Sequence, residues 1–248
     1  MLTLHTLTFY LHILVGSMAL LLVWVPLTVE KGRLNHRRFG RYYNNAMYLV
    51  SLSGAVMALL VLIDPMMIHG HRLSNPANEQ LFVERMRVFY SLLLYLSLLV
   101  YCGLRHGEIT LKSKQNKKLL RAKSHILSNA LLAATSPVLF YLGWQESMTL
   151  PMVFAVLGLV TGLSNIKYCL SDETIGNTWL REHISAQLGT AIGAYTAFLA
   201  FGGRTIFENA GEWRLIFWIA PGVVGAIAIR KLCQKYAPVQ GTKIASRV

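Results

Sequence analysis

The chain has 248 residues, 54% hydrophobic and 14% charged, with a mean hydropathy of +0.45. Soluble domains carry roughly 25% charged residues, so a water-soluble globule is excluded, as are disordered, collagen-like and low-complexity chains. The formal charge of +13 would suggest nucleic acid in a soluble protein; in a chain this apolar it reads as a record of membrane orientation.

A helix needs about 20 apolar residues to cross about 30 Å of hydrocarbon. Seven stretches qualify, at residues 7–29, 46–63, 88–104, 126–144, 151–166, 184–202 and 215–229, followed by a basic tail at 230–248. None contains Asp, Glu, Lys or Arg. The runs are too long for strands and do not alternate, and backbone in lipid must satisfy its own hydrogen bonds, so helices follow. The expected fold is all-α: a polytopic membrane helix bundle of seven transmembrane helices, forming one integral membrane domain over residues 1–248. The first ten residues lack a basic start and lead into an apolar run too long for a signal peptide.

Alternate loops carry nineteen of the 24 Lys and Arg residues, against five in the others. Excess positive charge marks the cytoplasmic side. This puts the N-terminus outside and the C-terminus inside, in the cytoplasmic (inner) membrane of a bacterium. Trp144, Trp213 and Trp218 then lie near outer ends and Trp24 and Trp179 near inner ends, as interfacial anchors do. Cys102, Cys169 and Cys233 fall on the reducing side, where no disulfide is expected.

Within the first span, His12 lies near the outer boundary and Pro26 predicts a kink. His36 and the arginines after it precede the second span. The outer phrase Met66-Met67-Ile68-His69-Gly70-His71 joins thioethers to imidazoles, a set that suits copper. His106 falls in a basic loop expected to be solvated, and the six Lys and Arg residues from 112 to 123 read as solvated charge facing anionic lipid. No aromatic residue interleaves with them, so nucleic acid is not expected as a partner. Pro137 and Pro221 predict further kinks, and Gly158-x3-Gly162 and Gly189-x3-Gly193 predict faces of close helix approach.

The fourth and sixth spans begin alike, with His125 followed by Asn129 and His183 followed by Gln187. Residues i and i+4 share a helix face. At 1.5 Å per residue both histidines fall about 27 Å from the outer end of their span, at the inner boundary. Two imidazoles from separate helices at one depth are what a bis-histidine haem b site needs. The leading expectation is therefore a haem b electron-transfer protein. His125 and His183 are its candidate axial ligands, Asn129 and Gln187 its orienting groups, and His36 an alternate ligand. His12 is a further cofactor-binding candidate, although its depth separates it from the inner pair. Electrons would come from a quinol or a redox protein partner.

A second expectation is zinc on His36, His125 and His183, with Asp172, Glu173 or Glu182 as base in a membrane hydrolase. A third is a small-solute transporter, because spans one to three and four to six run in opposite sense. A non-catalytic membrane scaffold is a fourth, and self-association into a homo-oligomer is left open.

The stretch from His12 to Gly40, with Lys31-Gly32 and His36-Arg37-Arg38-Phe39-Gly40, resembles the start of a family of bacterial multi-pass membrane proteins. His183-Ile-Ser-Ala-Gln-Leu-Gly through Ala197-Phe198 resembles that family's later block. The family carries no assigned activity. Its helix-end histidines are similar in layout to those of membrane b-type cytochromes, which implies a multi-pass helical fold and agrees with the haem expectation.

Overall fold

In the computed structural model, which describes residues 1–171, 176–202 and 214–237, the chain is all-α, with no strand among those residues. Its helices are α1 (Leu2–Leu22), α2 (Trp24–Thr28), α3 (Leu34–Ile63), α4 (Pro65–His69), α5 (Glu79–Ser113), α6 (Lys123–Gln145), α7 (Thr149–Leu170), α8 (Thr178–Ala197) and α9 (Arg214–Tyr236). Among the described residues, six helical stretches are long and apolar enough to cross a bilayer: Leu2–Thr28, Leu34–Ile63, Pro76–Ser113, Lys123–Gln145, Thr149–Leu170 and Thr178–Gly202. The seventh predicted stretch, 215–229, is helical and lies within α9. Trp213, Asp172, Glu173, the Trp218 side chain and the tail from 238 fall outside the described residues.

Helix ends run beyond the apolar stretches. Helix α3 starts twelve residues before the predicted second span, so the His36-Arg37-Arg38 phrase is helical. Helix α5 continues through Ser113, so the expected solvated loop around His106 is helix as well. Hydropathy ends where lipid ends, but a helix continues for as long as its backbone bonds are met. Pro26 interrupts the helix ladder. It has no N–H to offer Leu22 four residues back, and the helix is broken for one residue, Val23, whose backbone stays in the helical region, between α1 and α2.

The chain divides into two compact units, with the division falling inside α5 and α7: Met1–Leu104 with Lys123–Tyr168, and Arg105–Ala122 with Cys169–Val248.

In the first unit, α1 and α2 lie antiparallel to α3. His12 Nδ1 and Ser53 Oγ are 2.9 Å apart. The Ser53 hydroxyl gives its proton to Leu49 O at 2.6 Å, so His12 donates. At the other end of the pair, His36 Nδ1 donates to Pro26 O at 3.0 Å. Lys31 Nζ donates to Pro26 O, Leu27 O and Val29 O at 2.9, 2.6 and 3.3 Å, closing the C-terminal end of α2. Gly32, at φ +79°, provides the left-handed residue that lets the chain turn. Ser51 Oγ donates to Ser97 O at 2.8 Å, tying α3 to α5.

Helices α5, α6 and α7 enclose the core of this unit, which contains Leu92, Tyr95, Cys102, Leu132, Leu139 and Ala155. The Tyr95 hydroxyl is 2.6 Å from Ser136 Oγ and reaches Leu132 O at 3.4 Å. A Cβ on Gly158 would overlap that phenol, and one on Gly162 would stand 2.8 Å from Asn129 O. The Gly158-x3-Gly162 expectation is thus met by a close approach of α7 to α5 and α6. Among the described residues, a Cβ on Gly189 or Gly193 would meet nothing within 4 Å, so no close approach is seen at the same pattern on α8.

In the second unit, α8 and α9 pair antiparallel. A Cβ on Gly225 would overlap Ile192, and Ser185 Oγ is 3.9 Å from Cys233 Sγ. The end of α7 is capped from the basic segment. Lys117 Nζ donates to Ser171 O and Oγ at 2.9 and 2.8 Å, and Arg121 donates to Cys169 O and Leu170 O. Cations suit the last carbonyls of a helix. Lys117 is buried, so part of the segment expected to be solvated is structural.

Candidate functional site at the basic end of the second unit

Helix α8 opens with Glu182, His183 and Gln187, the stretch in which the sequence places a histidine and an amide on one face. Both meet the same point on the last turns of α5. His183 Nδ1 is 3.0 Å from Gly107 O. A Cβ on Gly107 would lie 3.0 Å from Gln187 Nε2 and 3.1 Å from the Ala186 methyl, so the residue is glycine because α8 passes against its backbone. The sequence offers no sign of this pairing, because the two segments are 76 residues apart.

The bond fixes the imidazole. A carbonyl oxygen only accepts, so Nδ1 carries the proton, and the neutral ring keeps its lone pair on Nε2. That is the tautomer a metal-ligating histidine adopts, with its other nitrogen held by a backbone carbonyl. His36 and His12, each donating from Nδ1, share it.

Beside this contact stands a residue that sequence reasoning set aside. His106 is wholly buried, and its Nε2 is 3.6 Å from Glu182 Oε2. The basic residues around it in sequence concealed its burial. Thr110 and Ser113 continue along α5 one and two turns further. Their hydroxyls, and Gln187 Nε2, are buried and have no hydrogen-bond partner among the described residues. Each such group costs about 1–3 kcal/mol if left unmatched. This end of the second unit therefore combines a carboxylate–imidazole pair, a second oriented imidazole and three polar groups with unused bonding capacity. Lys114 Nζ stands over the Trp179 ring, 5.8 Å from its centre.

The remaining predicted site residues belong to the first unit. His125 is wholly buried at the start of α6. Asn129 does not orient an imidazole in the way expected. Its Nδ2 donates to the His125 backbone carbonyl at 2.9 Å, and its Oδ1 accepts from Asn165 Nδ2 at 2.8 Å, which locks α6 to α7. His12 and His36 serve the α1–α3 pair, as described above. His36 and His125 lie in one unit and His183 in the other.

Comparison with protein-family models, curated proteins and solved structures found no match to the chain.

Proposed function

We propose that the chain is a seven-span protein of the bacterial inner membrane, N-terminus outside and C-terminus inside, that holds haem b and transfers electrons. His183 is the ligand best supported. The carrying observation is its Nδ1–H bond to Gly107 O, which sets the tautomer whose Nε2 is the ligating nitrogen. The ring is held by backbone rather than by a flexible side chain, so its orientation is set before any cofactor arrives. Lysines at this end, Lys114 among them, suit the charge of haem propionates. When bound, the haem would supply one-electron chemistry. The chain's own part is to hold the half-buried imidazole in one tautomer. A quinol or a redox protein would supply the electrons, and the basic segments would face anionic lipid.

The test is spectroscopic. Protein purified from haem-replete cells should show a Soret band that shifts on dithionite reduction. His183→Ala should abolish the band, and His125→Ala tests the other histidine that the sequence names. A colourless preparation from haem-replete cells refutes the reading.

One observation favours a second reading. Thr110, Ser113 and Gln187 place unmatched polar groups at the same end, which suits a small polar solute or water, as in a transporter. A colourless protein whose proteoliposomes take up such a solute would support it. Stoichiometric zinc in a colourless protein would instead favour a metal hydrolase, with Glu182 beside His106.

A further inference from the structure

Between α3 and α5 the chain folds as α4 and two 3-10 turns, Gly70–Arg72 and Pro76–Asn78, and the segment Pro65–Arg72 gathers aromatic nitrogen donors. His69 is 5% exposed. Its Nε2 is 2.5 Å from the Tyr90 hydroxyl, and its ring stacks on the Tyr90 ring with centres 5.4 Å apart. The His5 ring, from the start of α1, meets it edge-on at 5.7 Å, and the His71 ring lies 6.2 Å away. His69 Nδ1 is buried and has no hydrogen-bond partner among the described residues.

A phenol oxygen can accept the Nε2 proton, and the neutral ring then keeps a bare lone pair on the buried Nδ1. With metal–nitrogen bonds of about 2.0–2.1 Å, the centres of two imidazoles on one ion stand about 5–6 Å apart. The His5–His69 separation of 5.7 Å falls in that range. The His71 ring, at 6.2 Å, lies just outside it, and its exposed side chain must rotate inward to complete the set.

We infer that His5, His69 and His71 bind one divalent transition-metal ion of the zinc or copper class, with His69 Nδ1 as the anchoring ligand. Tyr90 is a positioning residue that holds the His69 ring in the ligating tautomer. Nitrogen donors select this class over magnesium and calcium, which take oxygen. The site is independent of the haem reading, since none of its residues takes part in that reading. Arg72 lies close enough to repel a cation and sets a limit on affinity. Asp64, at the start of α4, is occupied in capping Met67 N at 2.9 Å.

The experiment uses the full chain in detergent, without a polyhistidine tag and dialysed against chelator. It is titrated calorimetrically with ZnCl2 and examined with CuCl2 by electron paramagnetic resonance. Wild type should bind zinc with micromolar or tighter affinity, and copper should show nitrogen hyperfine splitting. His69→Gln should weaken zinc binding about 100-fold, and Tyr90→Phe about 10-fold as loss of an outer-shell partner. Arg72→Gln should tighten binding several-fold. His71→Ala, at an exposed position that cannot disturb the core, should weaken it about 10-fold. Failure of wild type to bind either ion overturns the inference, as does zinc binding unchanged in both His69→Gln and His71→Ala.

Discussion

Gly158→Ala adds one methyl at the tightest contact in the first unit. The new Cβ would overlap the Tyr95 hydroxyl and approach two of its ring carbons within 3 Å. Tyr95 cannot swing away freely, because its oxygen is engaged with Ser136 and Leu132 and the ring is buried. Overpacking of this kind costs about 1–3 kcal/mol. Displacing the hydroxyl forfeits a further 0.5–1.5 kcal/mol or so. Alanine returns about 1 kcal/mol of helix propensity. The net loss is about 1–3 kcal/mol, to be read as reduced stability of the purified protein in detergent by thermal or denaturant unfolding. Tyr95→Phe removes the nearest clashing atom. The double variant Gly158→Ala/Tyr95→Phe should therefore lose less than the sum of the singles, with a coupling of about 0.5 kcal/mol or more. Gly189→Ala is the control, since its Cβ meets nothing within 4 Å among the described residues, and it should be neutral or slightly stabilising. If Gly158→Ala is as stable as wild type, or Gly189→Ala is equally damaging, the packing argument is wrong.

Three further predictions follow from the same geometry. Asn165→Leu strands the buried Asn129 Oδ1 and should cost about 1–2 kcal/mol in the same assay, whereas Asn129→Leu/Asn165→Leu should recover part of the loss. With its pKa lowered to about 4, His69 refuses a proton that the unfolded chain accepts below about pH 6.5. Its share of stability is whole above that pH, falls as pH drops from 6.5 to 4, and is flat below. The midpoint of thermal unfolding should fall through that window, and His69→Gln should flatten the profile. Reporter fusions at the C-terminus should be active only on the cytoplasmic side, and a periplasmic signal would reverse the assignment of inner and outer ends.

Helices long and apolar enough to cross a bilayer were readable, six of them among the described residues, because an apolar stretch of that length has one stable form where the backbone is offered no water. Their ends were not. The helical turns at Leu34–Asn45 and Arg105–Ser113 are rich in charge, and hydropathy cannot distinguish a solvated loop from a helix that outlasts the apolar layer. Pro26 signalled the break between α1 and α2, because the missing N–H is a local property. The two small-residue patterns looked identical, and only the partner surface separates Gly158, pressed on Tyr95, from Gly189, which meets no neighbour among the described residues. At the candidate site, the shared face of His183 and Gln187 was legible from their spacing. Gly107 was not, because a glycine's role is set by what crosses it. Asn165, 36 residues from Asn129, gave no local sign either. His106 was misread because its sequence neighbours are basic, yet its own side chain is wholly buried.

The first two helices are fastened to the third at two heights. Along α3 the clasps at His36 and Ser53 are 17 residues apart, about 26 Å of helix. A sliding step of one turn by either partner would undo both clasps together, and a swivel about the break at Val23 would tear the one at His36. The hairpin must then travel as one lever in any working motion of the protein. Movement needed for a catalytic or transport cycle has to come from elements that lack such a double clasp.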